Sequence, residues 1–209
     1  MNNYREIRLN CLAAVLAVVS TILNCKVVVF DNGFTIPCAT PLFLFTFVIA
    51  NIISNRYGEQ RANNCTINCF CGSFISAVIL FLVSKINTSS SIDSAFSVVA
   101  GGSWIFTISS LVSYLISGYA NNKVFTLSAD EFGVSPAISS FCALLVSQTI
   151  DSVLFVFLAY GVGHCWIFGK PEEFLLLVAS QLITKLVIAS IASLVFCKVF
   201  KQKNAEDNF

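Results

Sequence analysis

The stretch AISSFCALLVSQTIDSVLFVFLAY, residues 137–160, is long and apolar enough to cross a membrane, yet it holds Asp151. A second such stretch, residues 174–200, holds Lys185. A charge at membrane depth costs from roughly 2.5 kcal/mol upward unless it is paired or lines a wet cavity. The two apolar stretches therefore predict a membrane fold, and the two charges predict a substrate or ion pathway through it.

The composition is that of an integral membrane protein. Of its 209 residues, 56% are hydrophobic and only 11% are charged, whereas soluble domains carry about 25% charged residues. A net charge of +1 without a basic cluster gives no reason to expect a nucleic-acid partner. We read the first apolar stretch as a span and not as a signal peptide, because no clear cleavage site follows it.

Six stretches approach the roughly 20 apolar residues that a membrane-crossing helix needs. We predict helices at about residues 9–30, 34–55, 67–83, 98–125, 137–160 and 174–200, with residues 201–209 as a cytoplasmic tail. The predicted fold is all-α and integral to the membrane, a single transporter domain over residues 1–209 with six transmembrane helices around a central polar cavity. The short third span is compatible with contacts in a homodimer.

The positions of the basic residues predict the orientation of the chain. If the N-terminus is cytoplasmic, most Lys and Arg of the loops lie inside, and only Lys26, Lys85 and Lys170 lie outside. Cytoplasmic loops of membrane proteins carry an excess of Lys and Arg. Both the N-terminus and the C-terminus are therefore predicted to be cytoplasmic.

Cysteine and histidine positions give no basis for a metal site. Cys65, Cys69 and Cys71 form a close group, but the only histidine, His164, lies far away in the sequence. The paired short spacings of zinc sites are absent. We expect packing cysteines, no metal and no cofactor, and, without a His cluster or a nucleophile–base pair, no enzymatic activity.

The fourth span carries a polar stripe. Ser110, Tyr114, Ser117 and Asn121 follow the spacing of one helix face. The serines alone are also consistent with close packing between membrane helices. Tyr114 and Asn121 on the same face favour a cavity wall.

The fifth and sixth spans add polar residues beside the two charges. Ser147 and Gln148 share a face with Asp151, and Gln181 lies one turn before Lys185. At 1.5 Å per residue the two charges lie at similar depth, so an ion pair is feasible. The pair could only fasten the bundle, but a buried ion pair is a poor source of stability, so we favour a gate or a substrate site.

The end of the second span offers two amides. Asn51 and Asn55 lie one turn apart, and we expect both to project into the lower part of the cavity, on the level of Asn121. The predicted substrate-binding set is Asn51, Asn55, Ser110, Tyr114, Ser117, Asn121, Ser147, Gln148, Asp151, Gln181 and Lys185.

Two segments of the chain also resemble each other. SYLISGYANNKVF, residues 113–125, aligns without gaps with ALLVSQTIDSVLF, residues 143–155, and matches Asn121 to Asp151. Inverted elements around a central site recur in transporters.

Together with NIISNRYGEQRA, residues 51–62, and QLITKLVIASIASLVF, residues 181–196, these segments resemble the queuosine precursor transporter family, also called the vitamin uptake transporter family. The resemblance covers about residues 24–200. It implies a multi-pass protein of the bacterial inner membrane that imports a 7-deazaguanine base, queuine or a preQ-type base, for salvage into tRNA. Its implied partners are that small molecule and membrane lipid.

The chain departs from the family pattern at several polar positions. Where the family has an aspartate in the second helix, this chain has Asn51. Where the family has Gln and Asp in the fourth helix, this chain has Gly118 and Asn121, and an arginine expected early in that helix is replaced by Ile105. The fifth-helix pair is kept as Gln148 and Asp151. Fewer buried charges suggest a different or bulkier member of the substrate series, such as queuine.

An alternative is the substrate-binding subunit of an energy-coupling-factor vitamin transporter, which is also a small six-helix protein. Ala13 and Ala17 in the first span fit the small-residue spacing that docks such subunits. Under this alternative an ATPase module is a partner, and the chain itself has no phosphate-binding loop.

Overall fold

The computed structural model describes residues 2–23, 27–29, 35–86, 104–162, 175 and 178–191. Within these ranges the chain is helical apart from one short two-stranded ribbon and a few short turns. The elements in chain order are α1 (Asn2–Leu23), β1 (Val27–Val29), β2 (Thr35–Pro37), α2 (Thr40–Tyr57), α3 (Glu59–Val83), α4 (Trp104–Thr126), α5 (Pro136–Val156) and α6 (Val178–Ile191). π-helical turns at Leu127–Glu131 and Phe157–Val162 follow α4 and α5.

The first two helices differ from the predicted spans at their ends. α1 ends at Leu23, before the predicted end at residue 30, because residues 27–29 pair with β2 in an antiparallel ribbon. α2 begins at Thr40 and not at residue 34, with a proline in its first turn. A proline is tolerated there because the first N–H groups of a helix have no partner within the helix.

The third helix is longer than predicted. α3 has 25 residues and begins at Glu59, ahead of the predicted start at Ile67. Gly58, with a φ of 90°, turns the chain directly from α2 into α3. The prediction of a short third span is therefore wrong, and the third helix no longer gives a reason to expect a homodimer.

Three described helical segments are long and apolar enough to cross a membrane: Tyr4–Leu23, Glu59–Val83 and Pro136–Ala159. Val178–Ile191 is a shorter apolar helix. α2 and α4 have 18 and 23 residues, and they carry much of the polar interior of the bundle. The start of the predicted fourth span, the end of the sixth and the predicted tail lie outside the described residues.

Small residues bring the helices together. Ser113 and Ser117 on α4 and Ala143 and Ser147 on α5 are fully buried where these two helices pack along each other. Their small side chains allow a close approach of the two backbones.

The small residues of α1 are also buried inside the bundle. Ala13 and Ala17 are 0% exposed, in a core that includes Cys65 and Cys69 of α3. The spacing that motivated the energy-coupling-factor alternative is thus used for packing within this chain. Cys71 is exposed, so the three cysteines of α3 do not converge on one point.

Candidate substrate cavity

One cavity lies among α2, α4, α5 and α6, with a volume of about 50 Å³. Six of the predicted binding residues reach it. The full lining is Ala39, Thr40, Phe43, Phe47, Ser110, Tyr114, Gln148, Asp151, Phe155, Gln181 and Lys185.

The two buried charges form an ion pair in the wall of the cavity. Lys185 Nζ donates to Asp151 Oδ2 at 2.5 Å, and the two side chains are 12% and 19% exposed. Asp151 comes from α5 and Lys185 from α6, so the pair joins two helices, as the sequence predicted to be feasible. Gln148 and Gln181, about one turn away on the same two helices, place side-chain amides beside the pair.

Phe43 and Phe47 of α2 and Tyr114 of α4 form an aromatic part of the cavity wall. The Tyr114 ring lies 5.5 Å from the Phe43 ring and 5.3 Å from the Phe47 ring, measured between centroids, and meets the latter edge-on at 72°. The Tyr114 hydroxyl lies next to the side chains of Thr46 and Cys69. This packing fixes an aromatic surface against which a flat ring can stack.

Gln148 supplies an unused hydrogen-bond donor. The side chain is only 2% exposed, and its Nε2 atom has no hydrogen-bond partner among the described residues. An unsatisfied buried polar group costs about 1–3 kcal/mol. A donor kept in this state in a cavity wall is suited to a ligand that brings an acceptor.

Asn51 and Asn121 belong to a separate hydrogen-bonded network and do not line the cavity. Asn121 Nδ2 donates to Asn51 Oδ1 at 2.7 Å and to Asn122 Oδ1 at 3.2 Å. Asn51 Nδ2 donates in turn to Ser140 Oγ at 2.9 Å. All four residues are 0% exposed, so amides join α2, α4 and α5 in the buried interior.

The network continues into α3 through Asn122. Its Nδ2 donates to Asn63 Oδ1 at 2.9 Å and to Thr66 Oγ1 at 3.1 Å. Sequence reasoning missed this branch, although the paired Asn121 and Asn122 and the one-turn spacing of Asn63 and Thr66 were signals for it. We call these residues, Asn51, Asn63, Thr66, Asn121, Asn122 and Ser140, the amide network.

Three predicted binding residues lie elsewhere. Asn55 is exposed, because it lies in the last turn of α2, so its predicted projection into the cavity is wrong. Ser117 and Ser147 are fully buried, and their hydroxyls donate to the carbonyl oxygens of Tyr114 and Leu144 within their own helices. Neither serine reaches the cavity, and for Ser117 this arrangement is the helix packing that the sequence left open as an alternative.

One known protein family matches most of this chain. The model of a family described as "Putative vitamin uptake transporter" matches residues 37–199, which run from the end of β2 past the end of α6 and include the whole cavity lining. No curated protein and no solved structure matches the chain. The match extends over well more than half of the sequence and confirms the resemblance carried by the motifs. This chain therefore belongs to the vitamin uptake transporter family.

Proposed function

We propose that this membrane transporter imports a 7-deazaguanine precursor of queuosine, queuine or a preQ-type base, for salvage into tRNA. The base would bind in the cavity that holds Asp151 and Lys185. The observation that carries the proposal is the adjacent carboxylate and ammonium in a small, largely buried cavity with an aromatic wall.

The charge pair is complementary to one edge of a guanine-like ring. Such a ring presents two N–H donors next to a carbonyl oxygen. The Asp151 carboxylate can accept from both donors, and the Lys185 ammonium can donate to the carbonyl. Because the two protein charges cancel, the ring itself needs no net charge to enter.

The remaining wall suits the rest of the base. Gln148 Nε2 has no partner in the described chain and can donate to a ring acceptor. Tyr114 and Phe43 offer faces for stacking. The cavity volume of about 50 Å³ is room for only a few water molecules, so the cavity must widen to admit a base.

We further propose six spans, both termini in the cytoplasm, and a multi-pass position in the bacterial inner membrane. Two ion pairs support this orientation, because each joins helix ends that carry basic residues. Arg61 Nη1 lies 3.2 Å from Glu6 Oε1, and Lys123 Nζ lies 3.7 Å from Glu59 Oε2. These contacts bring the starts of α1 and α3 and the end of α4 to one face, as cytoplasmic loops require. Tags at each terminus, tested for protease access in intact cells, check this orientation.

The test of the cargo is the queuosine content of tRNA. Bacteria that cannot make queuosine and lack their own importer would express this chain and be fed queuine or a preQ-type base at low concentration. We expect queuosine to appear only with the chain present, and to disappear with Asp151→Asn although that variant reaches the membrane. Asn55→Ala, which changes an exposed amide, is the matched control. Normal rescue by Asp151→Asn would refute the assigned site.

A second measurement separates the carrier from the energy-coupling-factor alternative. The purified chain alone in proteoliposomes should take up the labelled base. Rescue in cells without uptake in proteoliposomes, together with co-purification of an ATPase, would favour the alternative.

A further inference from the structure

A second, open groove lies at the other end of α2 from the cavity. It is lined by Arg5, Arg8, Leu9 and Leu12 of α1 and by Arg56 of α2, and its volume is about 330 Å³. Thr40 in the cavity and Arg56 in the groove lie at opposite ends of the same 18-residue helix. The groove is therefore distinct from the candidate substrate site.

The residues that line the groove are ordered along the axis of α1. Leu9 lies one turn below Arg5, and Leu12 lies one turn below Arg8, about 6 Å along the helix axis in each pair. The part of α1 that is long and apolar enough to cross a membrane begins at Tyr4, so in a bilayer Arg5 and Arg8 would lie near its surface, at the level of lipid headgroups. Leu12 is 51% exposed and lies one turn further along α1, so it would contact acyl chains.

The two positive charges that α1 brings to this groove are not neutralised by a carboxylate. Arg5 and Arg8 form no ion pair within the part of the chain that the structure describes. The nearest carboxylate in sequence, that of Glu6, is turned to Arg61 at 3.2 Å. The N-terminus of α1 adds its own partial positive charge to the rim.

We propose that this groove binds one anionic phospholipid. Guanidinium groups bind phosphate oxygens in a bidentate way, so Arg5, Arg8 and Arg56 are suited to the headgroup phosphate. An acyl chain can then follow Leu9 and Leu12 into the bilayer. Basic pockets between membrane helices are known to hold anionic headgroups, and this lipid would tie α1 to α2 at one end of the bundle. The proposal is independent of which base the cavity carries.

The test uses the full chain purified in detergent, with its thermal unfolding midpoint measured against added lipid. We expect phosphatidylglycerol to raise the midpoint by several degrees, and phosphatidylcholine and inorganic phosphate to leave it unchanged. The triple variant, with Gln in place of the three groove arginines Arg5, Arg8 and Arg56, should lose this shift of the midpoint. Lys85→Gln, which neutralises an exposed cation after the far end of α3, should keep it.

Three results would overturn the proposal. An equal rise in the unfolding midpoint with phosphatidylcholine would mean that the groove does not distinguish anionic from zwitterionic lipid. An equal shift with phosphate alone would mean an ion site and not a lipid site. If the triple variant does not fold, the single variant Arg8→Gln, which changes an exposed side chain, is compared with the native chain by native mass spectrometry. A phosphatidylglycerol adduct as abundant as that of the native chain would contradict the proposal.

Discussion

Lys185 Nζ lies 2.5 Å from Asp151 Oδ2, and the two residues are 34 positions apart on neighbouring helices. Each side chain is largely withdrawn from solvent, so each charge depends on the other for compensation. Removing one partner of a buried ion pair costs about 3–5 kcal/mol, because the other charge is left alone. A single substitution therefore disturbs both the bundle and the cavity, and an exchange of the two charges separates these effects.

The double variant Asp151→Lys with Lys185→Asp should fold but not transport. It keeps an ion pair between α5 and α6, and so we expect an unfolding midpoint close to that of the native chain. Uptake should fall by about tenfold or more, equivalent to about 1.4 kcal/mol of lost binding, because carboxylate and ammonium now meet the wrong atoms of the base. Thermal unfolding and uptake of labelled base are measured on the same preparation. Native uptake by the exchanged pair would mean that the two residues only fasten the bundle.

Gln148→Leu should weaken transport without weakening the fold. The Gln148 Nε2 atom is buried and has no partner in the described structure, so replacing the amide with an apolar side chain of similar size removes an unsatisfied donor. We expect an unfolding midpoint equal to or above the native value, and a KM for the base that rises about tenfold. A lower midpoint with unchanged KM would assign Gln148 to structure instead. Ser147→Ala, beside it on α5 and bonded within its own helix, is the control.

The charged part of the site could be predicted from the sequence for a simple physical reason. Charges within apolar stretches are rare and costly, so Asp151 and Lys185 stand out by their positions in the sequence alone. Their similar depth follows from the fixed rise of a helix. Gln148 and Gln181 then follow from helical spacing, and the structure brings all four to one cavity.

The amide network could not be predicted in the same way. Asn51 and Asn55 share one helix face by spacing, yet Asn51 is 0% exposed and Asn55 is exposed. Whether neighbouring helices cover a given turn of α2 depends on the packing of all helices together, and helical spacing alone does not predict it. The polar start of α3 was not predicted as helix for a related reason. Asn63 accepts a hydrogen bond from Asn122 of another helix, and the sequence does not reveal this contact.

Asn122→Ala should destabilise the bundle. The change removes the bonds from Asn122 to Asn63 and Thr66 and leaves Asn63 Oδ1 without this donor. We expect a loss of about 1–3 kcal/mol in the free energy of unfolding, measured by denaturant titration in detergent. Asn55→Ala on the exposed end of α2 should change it by less than about 0.5 kcal/mol. Equal effects from the two substitutions would mean that the amide network adds nothing to stability.

Gly118→Ala tests the close approach of α3 and α4. A Cβ atom at Gly118 would lie 2.5 Å from Thr66 Cγ2, well inside contact distance. Thr66 cannot turn away freely, because its Oγ1 donates to the Ala62 carbonyl oxygen at 3.2 Å and accepts from Asn122. The clash should therefore outweigh the gain of about 1 kcal/mol that alanine brings to a helix, and the variant should unfold at a lower temperature than the native chain.

Thr66→Ser provides the rescue for that variant. Serine keeps the hydroxyl and loses the methyl group that the new Cβ would meet. The double variant Gly118→Ala with Thr66→Ser should recover an unfolding midpoint at or above that of Thr66→Ser alone, because the helix gains alanine without the clash. If the double variant is as unstable as Gly118→Ala alone, the Thr66 methyl group is not the reason that α3 and α4 require glycine at their contact. The strict need for glycine would then come from the backbones of α3 and α4 themselves.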